Sequence, residues 1–151
     1  MVSIVFWFVA CGGGKLQETG WWWVLFCALT VALSNYISSS IIKEHIIRLR
    51  PCNDPAIADW VRVLVGYRPQ SSSFTSSHAA NHFAFAMFWY ITLKDALGKW
   101  VSVFFLWALI ICYAQVYVGV HYPIDVTCGA FIGILIGYLS GKLFNTKFGL
   151  S

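Results

Sequence analysis

The sequence contains few charged residues. Only 11% of its 151 residues are Asp, Glu, Lys or Arg, whereas a soluble domain of this size carries roughly 25%. Hydrophobic residues make up 59% of the chain and aromatic residues 18%. This composition predicts an integral membrane protein. No nucleic-acid partner is expected, because the net charge of only +4 includes no dense basic run.

Cysteine pairs are also missing. The five cysteines form no C-x-x-C motif, and an odd number cannot pair completely within one chain. All of them except Cys52 lie in apolar segments, where cysteine usually packs as a small hydrophobic residue. We therefore expect neither a disulfide framework nor a structural zinc site.

Long apolar segments predict an all-α fold. A spanning helix needs about 20 residues. The candidate spans are residues 21–42, 76–93, 100–120 and 124–144. Residues 1–10 are apolar but too short to span. The prediction is a polytopic bundle of four transmembrane helices with this short N-terminal segment, in a single integral-membrane domain over residues 1–151.

Two connections carry more specific predictions. The first span is expected to continue as a helix to Arg50, where Pro51 ends it. Lys43 and Arg50, seven residues apart, would then point the same way. In the polar connection that follows, residues 56–65 are expected to form a short interfacial helix.

The alternation of spans predicts the sides of the membrane. Residues 51–75 and the reversal at 121–123 face one side, and the other loops and the C-terminus face the opposite side. Lysines on that opposite side make it cytoplasmic by the positive-inside rule: Lys15, Lys94, Lys99, Lys142 and Lys147. The first side has as many cations, so the orientation depends on a functional role for Lys43 and Arg50.

Three polar clusters are predicted to meet on the first side. They are Lys43 with Arg50, residues 74–78 and residues 121–125. Snorkelling cations, a capping histidine and a carboxylate at a helix N-terminus would explain each cluster separately. Cations beside a span are costly unless an anion uses them. The coincidence of all three clusters on one face therefore favours a phosphate site.

Cleavage of a phosphate ester requires these residue types. Fixed positive charge from Lys43 and Arg50 suits the non-bridging oxygens. One histidine can attack phosphorus and another can protonate the leaving oxygen. His121 and Asp125 are four residues apart, so on one helix face the carboxylate could hold the imidazole in one tautomer. Ser76 and the N–H groups at the start of the second span add donors for an anion.

The three clusters resemble the signature of the type-2 phosphatidate phosphatases, the membrane branch of the superfamily that includes the vanadium haloperoxidases. That signature is lysine, six residues, arginine, proline; then Pro-Ser-Gly-His; then Ser-Arg, five residues, His, three residues, Asp. The first part is complete over residues 43–51. The second reads Thr-Ser-Ser-His over residues 75–78, and the third keeps its His and Asp over residues 121–125. The resemblance covers residues 21–144.

The resemblance implies a phosphatase that needs no metal or other cofactor. His121 would be the nucleophile that carries the phosphoryl group, Asp125 would orient it, and His78 would protonate the leaving group. The phosphate would be held by Lys43, Arg50, Ser76 and the Ser77 amide.

The third part of the signature is incomplete. Ala114 and Gln115 stand where the family has Ser-Arg, and Gln115 can donate hydrogen bonds to phosphate but brings no charge. A catalytically impaired phospholipid-binding homologue is therefore an alternative. Three arginines could compensate for the missing charge: Arg48, Arg62 and Arg68. The family commonly has six spans, so we expect a shortened N-terminus.

A metal enzyme is the less favoured alternative. His78 and His82 are four residues apart and could ligate zinc together with His121 and Asp125. That interpretation leaves Lys43 and Arg50 unexplained and places cations beside a cation.

The expected substrate is a phosphorylated lipid with its head group at the outer face. Undecaprenyl diphosphate, phosphatidate, phosphatidylglycerol phosphate and lipid A phosphate all fit, with a slight preference for a polyprenyl diphosphate. The short chain and small loops are typical of a bacterial protein. We therefore expect a multi-pass protein of the bacterial inner membrane, surrounded by membrane lipids, with its active site facing the periplasm.

A glycine stripe marks the last span. The glycines recur every fourth residue: Gly129, Gly133, Gly137 and Gly141. Such a stripe allows close approach of another helix. Packing within the chain is the favoured interpretation, and a homodimer through the stripe is the alternative.

Overall fold

Helices make up the regular structure of the protein. The computed structural model describes residues 15–64 and 66–149, and this part contains no strand. The four long helices are α1 (Lys15–Tyr36), α2 (Ser77–Leu97), α3 (Val103–Tyr117) and α4 (Pro123–Phe148). The predicted all-α fold is confirmed. The apolar segment 1–10 and Cys11 lie outside the described residues.

Shorter helical pieces connect the long helices. A π-helix (Ile37–Ile42) and one α-helical turn (Lys43–His45) extend α1. A 3₁₀-helix (Pro51–Asn53) lies in the long connection, and a second (Gly98–Ser102) joins α2 to α3. Pro123 is the first residue of α4, where its missing N–H costs no intrahelical bond.

Three helical segments of the described residues are long and apolar enough to cross a membrane. They are Glu18–His45, Ser77–Tyr117 and Pro123–Phe148. The predicted count of four spans is not confirmed. The middle segment has 41 residues and includes both α2 and α3. The chain turns at Gly98, whose φ is +55°, and α3 with 15 residues is shorter than the roughly 20 that a crossing needs.

Side-chain contacts define the directions of the helices. Trp23 Nε1 donates a hydrogen bond to Thr92 Oγ1 at 2.9 Å, and Asn81 Nδ2 donates to Asn35 Oδ1 at 3.2 Å. The start of α1 therefore meets the end of α2, and these helices are antiparallel.

The glycine stripe of α4 packs against α2 within the same chain. All four glycines are buried. A Cβ atom on Gly133 would lie 2.9 Å from the Ala84 nitrogen, and one on Gly137 would lie 3.0 Å from the Phe88 nitrogen. Contacts advance in the same direction along both helices, so α2 and α4 are parallel and their backbones nearly touch. The stripe is occupied inside the chain, as the favoured interpretation predicted, and is not available as a dimer surface.

Aromatic side chains close the end of the bundle that lies away from the reversal at 121–123. Four aromatic residues form a buried cluster together with Val101: Trp23, Phe88, Trp89 and Phe144. On the outer surface of α1, Leu25, Leu29 and Leu33 remain exposed four residues apart. An apolar stripe that no part of the described chain covers suits contact with lipid tails.

The first helix ends earlier than predicted. It stops at His45, and Ile46 is extended with φ −117° and ψ 100°. Lys43 and Arg50 therefore do not share a helix face, and that prediction is wrong. Tertiary hydrogen bonds replace the helical ones: Ser73 N donates to Arg48 O at 2.9 Å and Arg48 N donates to Ser72 Oγ at 3.2 Å.

The interfacial helix predicted for residues 56–65 is not formed by residues 56–64, and residue 65 lies outside the described residues. Residues 55–60 form consecutive turns and residues 61–64 have no regular structure. Asp54 starts these turns, because its carbonyl oxygen accepts from both Ile57 N and Ala58 N, and its carboxylate accepts from Ala56 N. Such local side-chain bonds compete with helix formation.

The glycine packing predicts a specific sensitivity to added volume. We expect Gly133→Ala to lower the free energy of unfolding by about 1–3 kcal/mol, because the new methyl group would push α4 away from the α2 backbone. Gly66→Ala is the control, because a Cβ there meets nothing within 4 Å. Thermal midpoints in detergent measure both variants. Equal midpoints for the two variants would contradict this account of the stripe.

Candidate active site

Two loops meet at one end of the bundle and bring the polar clusters together. Cys52 N donates to Gly119 O at 3.2 Å, and Ser76 N donates to Asp125 O at 3.1 Å. The first bond joins the long connection to the α3–α4 reversal. The second joins the start of α2 to the start of α4. The predicted placement of these two loops at the same end is therefore confirmed.

His121 lies at the centre of this end and is buried, with 2% of its surface exposed. Its backbone N–H donates to the Gln115 carbonyl at 3.2 Å, which closes the turn after α3. Its Nε2 is 3.3 Å from Arg50 Nη1, and its Nδ1 is 3.4 Å from Ser73 Oγ. One ring nitrogen of His121 therefore faces a guanidinium group, and the other faces a serine hydroxyl.

The Arg50 guanidinium is held in place by hydrogen bonds from all three of its nitrogens. Its side chain is buried, and Nε donates to Ser71 O at 2.9 Å while Nη1 donates to Val120 O at 3.1 Å. Nη2 donates to Ser71 Oγ at 3.0 Å. These bonds connect the 71–72 segment to the 120–121 segment through one guanidinium. The rigid fork of arginine suits recognition of an oxyanion at a fixed place.

Asp125 is fully buried in the first turn of α4. Its Oδ1 accepts from Arg48 Nη1 at 2.8 Å, and its Oδ2 accepts from Ser73 Oγ at 2.5 Å and from Tyr122 N at 3.0 Å. Three donors thus satisfy this carboxylate, as a buried charge requires.

The contact between His121 and Asp125 differs from the predicted one. Their nearest nitrogen and oxygen, Nδ1 and Oδ2, are 3.8 Å apart, which is longer than a hydrogen bond. The sequence prediction placed both residues on one helix face. His121 in fact precedes α4, which begins at Pro123. The two side chains are close, but a direct hydrogen bond between them is absent, and Ser73 Oγ lies near both groups.

Arg48 takes part in this site, although the sequence suggested it only as a candidate for replacing lost charge. Besides its bond to Asp125, its guanidinium carbon lies 4.2 Å from the centre of the Tyr122 ring. Tyr122 Oη in turn donates to Asp54 Oδ2 at 2.8 Å. Arg62 and Arg68 do not join it: Arg62 is exposed, and Arg68 Nη1 donates to the Cys52 carbonyl at 2.9 Å.

The remaining predicted site residues surround this centre. The half-buried Lys43 lies within electrostatic range of Arg50 and Asp125, and its ammonium group makes no hydrogen bond to another described residue. His78, exposed in the first turn of α2, is within electrostatic range of Lys43 and Arg50.

The serines at the start of α2 have different environments. Ser76 is the N-cap of the helix, and its Oγ accepts from Ala79 N at 3.4 Å. Its side chain therefore stabilises the helix. The Ser77 hydroxyl is buried without a hydrogen-bond partner among the described residues. The Ser77 N–H is one of the four N-terminal N–H groups that have no intrahelical acceptor.

Gln115 contributes through its backbone. Its carbonyl oxygen accepts from both Val120 N and His121 N, at 3.3 and 3.2 Å. Its side chain makes no hydrogen bond to another described residue. The alternative zinc ligands are not brought together either, since no three His, Cys, Asp or Glu side chains of the described residues form a ligand group.

Burial and positive charge determine the ionisation of His121. Desolvation, followed by the Arg50 and Lys43 charges, lowers the pKa of His121 from 6.5 to about 4, although the Asp125 charge and a hydrogen bond with the Ser73 backbone act in the opposite direction. The imidazole is therefore neutral at pH 7, which keeps a nitrogen lone pair available for nucleophilic attack.

This shift predicts a loss of stability in acid. The unfolded chain binds a proton on His121 at a higher pH than the folded protein does, so stability is complete above pH 6.5 and falls as pH approaches 4. The contribution is about 3 kcal/mol. We expect His121→Gln to have a flatter profile of thermal midpoint between pH 7.5 and 4.5. His45→Gln, at an exposed histidine, should follow the wild type, and parallel profiles for all three proteins would refute the assignment.

The Asp125 network predicts a second effect on stability. Arg48→Ala would leave a buried carboxylate with two donors, while Arg48 itself is 38% exposed and partly screened. We therefore expect a loss of about 1–2 kcal/mol, less than for a fully buried pair. Arg62→Ala is the matched control. Denaturant or thermal unfolding in detergent compares them, and an unchanged midpoint for Arg48→Ala would show that the pair is not stabilising.

The arrangement defines a class of protein: a helical membrane protein whose polar end holds a neutral buried imidazole beside a fixed guanidinium and a free ammonium group. Comparison with known families agrees with this class. Residues 21–148 match the model of the PAP2 superfamily. The chain belongs to the PAP2 superfamily.

Three curated relatives refine the comparison. A lipid A 4'-phosphatase from Bacteroides thetaiotaomicron is 37% identical over 119 residues, which cover 78% of this chain and 52% of the relative. A second lipid A 4'-phosphatase, from Porphyromonas gingivalis, is 30% identical over 77% of this chain and 48% of the relative. An undecaprenyl-diphosphatase from Sulfolobus acidocaldarius is 34% identical over 78% of this chain and 55% of the relative.

The chain spans about half the length of the curated relatives it matches. No solved structure matches it.

Proposed function

We propose that this chain carries the active site of a membrane phosphatase that removes phosphate from a phosphorylated lipid. The observation that carries the proposal is the position of His121 Nε2, 3.3 Å from Arg50 Nη1. Arginine has only donors, so the nitrogen that faces it must present its lone pair. A neutral nucleophile thus lies beside the cation that would hold the oxyanion it attacks.

The first chemical step would be attack of His121 Nε2 on phosphorus. A bond forms between nitrogen and phosphorus, and the bond between phosphorus and the lipid oxygen breaks. Arg50 and Lys43 would stabilise the non-bridging oxygens, with the Ser77 N–H at the start of α2 as a further donor. His78 would give its proton to the leaving oxygen. Its exposed position in the first turn of α2 leaves it accessible to a substrate.

The second step would be hydrolysis of the phosphohistidine. Water attacks phosphorus, His78 accepts a proton from that water, and the bond to His121 Nε2 breaks to release inorganic phosphate. Both steps use protein side chains alone, so the proposal requires no metal or other cofactor. Asp125 would stabilise the positive charge that His121 develops in each step.

Gln115 favours a second candidate, a phospholipid-binding homologue with impaired catalysis. The signature's arginine is absent there, and loss of one transition-state cation can cost several kcal/mol. The neutral buried state of His121 favours the active enzyme instead, because a protein that only binds anions gains from a protonated imidazole. The Gln115 carbonyl also still closes the turn that presents His121.

The proposed substrates are the phosphorylated lipids predicted from the sequence, now in a different order. Two of the three reported relatives are lipid A 4'-phosphatases and one is an undecaprenyl-diphosphatase. We therefore place lipid A phosphate before a polyprenyl diphosphate, and phosphatidate and phosphatidylglycerol phosphate after them. The proposed location is the bacterial inner membrane, with the site facing the periplasm. The lysines lie on the opposite loops, and the positive-inside rule places those loops on the cytoplasmic side.

Replacement of the nucleophile tests the function. We expect purified protein in detergent, with chelator present, to release inorganic phosphate from at least one lipid of that panel, and His121→Gln to lower kcat by about a thousandfold or more. His45→Gln, outside the site, is the control and should keep full activity.

The alternatives give different results in the same assay. Turnover that chelator abolishes would favour a metal enzyme. Lipid binding without turnover would favour the impaired homologue. Full activity in His121→Gln would reject this nucleophile.

A further inference from the structure

Ser73 occupies a position that neither the signature nor the proposed chemical steps explain. It is fully buried, and its Oγ lies 2.5 Å from Asp125 Oδ2 and 3.4 Å from His121 Nδ1. Asp125 and His121 themselves are 3.8 Å apart at their closest nitrogen and oxygen. The serine hydroxyl is therefore the group through which the carboxylate reaches the imidazole.

The chemistry of the two ends determines the direction of the bonds. An ionised carboxylate only accepts, so the Ser73 O–H donates to Asp125 Oδ2. The serine oxygen then has lone pairs left for an N–H from His121 Nδ1. At the other side of the ring, Arg50 Nη1 can only donate, so Nε2 is the nitrogen without a proton. Both neighbours thus select the same neutral tautomer, with the proton on Nδ1.

The backbone holds the hydroxyl in this place. Ser73 N donates to the Arg48 carbonyl at 2.9 Å, and the Arg48 side chain binds the opposite oxygen of Asp125 at 2.8 Å. The segment carrying the hydroxyl and the carboxylate it serves are therefore attached to the same residue. Because Ser73 has no exposed surface, its hydroxyl cannot exchange these partners for bulk water.

We propose that Ser73 is a positioning residue whose hydroxyl links Asp125 to His121 and holds the imidazole in the tautomer that exposes the Nε2 lone pair. The expected effect on turnover rests on the proposed phosphatase function. The effect on the tautomer does not, and it can be measured whether or not the substrate is known.

Nitrogen NMR of the histidine rings tests the link directly. The protein has four histidines, and protein labelled with ¹⁵N-histidine in detergent, compared with His121→Gln, identifies the His121 signals. At neutral pH we expect the His121 ring of the wild-type protein to carry its proton on Nδ1. In Ser73→Ala, Arg50 still disfavours a proton on Nε2, so we expect a smaller excess of the Nδ1-protonated tautomer and a shifted Nδ1 signal. An unchanged His121 spectrum in Ser73→Ala would overturn the proposal.

Kinetics separate positioning from binding. On a lipid phosphate that the wild type hydrolyses, we expect Ser73→Ala to lower kcat about ten- to hundredfold with little change in KM, because the cations that hold phosphate remain. Ser73→Thr keeps the hydroxyl and should recover most of the lost kcat. Ser34→Ala is the matched control, because Ser34 is also fully buried and its hydroxyl has no hydrogen-bond partner among the described residues.

The two readouts distinguish the possible failures. A tautomer that depends on Ser73, in a protein that hydrolyses no lipid phosphate, would refute the proposed function and keep the link. Normal turnover and an unchanged tautomer in Ser73→Ala would refute the link and keep the function. If Ser73→Ala does not fold, Ser73→Cys replaces it. A thiol is a weaker donor and acceptor, so an intermediate loss supports the link, and wild-type behaviour overturns it.

Discussion

A single buried carboxylate, Asp125, organises the polar end of this protein. It has no contact with solvent, so its charge must be met by donors inside the protein. Those donors come from three separate segments: the Arg48 side chain, the Ser73 hydroxyl and the Tyr122 N–H. The carboxylate thus ties the chain after α1, the chain before α2 and the start of α4 to one point. The groups proposed to act on phosphate are carried by these same segments, so their relative positions depend on this network.

The helix pair beneath the network sets where these segments can meet. Along α4 a row of glycines lets the backbone of α2 approach within contact distance, and the two helices run parallel. The Ser76 N–H consequently reaches the Asp125 carbonyl at 3.1 Å, which places the N-terminus of α2 beside the first turn of α4. Close packing in the apolar part of the bundle and precise geometry at its polar end therefore have the same structural origin. A larger side chain in the row of glycines would disturb both the packing of α2 on α4 and the geometry of the polar end.

Burial and charge act together on His121, the proposed nucleophile. Desolvation, Arg50 and Lys43 all disfavour protonation of His121, and these effects outweigh the nearby carboxylate. The same cations that would hold a phosphate thereby keep the imidazole neutral until the phosphate arrives. A dianionic substrate would offset their charge and allow the ring to become positive as it is phosphorylated. In the proposed mechanism, positive charge on His121 would therefore be favourable only when substrate is bound.

The composition and the spacing of motifs determined much of this protein. Scarce charge and long apolar segments predicted an all-α membrane protein. The spacing of five polar residues predicted both the family and the polar end of the bundle: Lys43, Arg50, His78, His121 and Asp125. These predictions were possible because hydrophobicity and chemical type are properties of individual residues. Only the tertiary structure decided the rest. Helix periodicity wrongly extended α1 to Arg50, because bonds from Ser72 and Ser73, more than twenty residues away, replace the helical ones. It also wrongly placed His121 and Asp125 on one helix, because α4 begins only at Pro123. The roles of Arg48 and Ser73 follow from such long-range contacts, which no local pattern in the chain records.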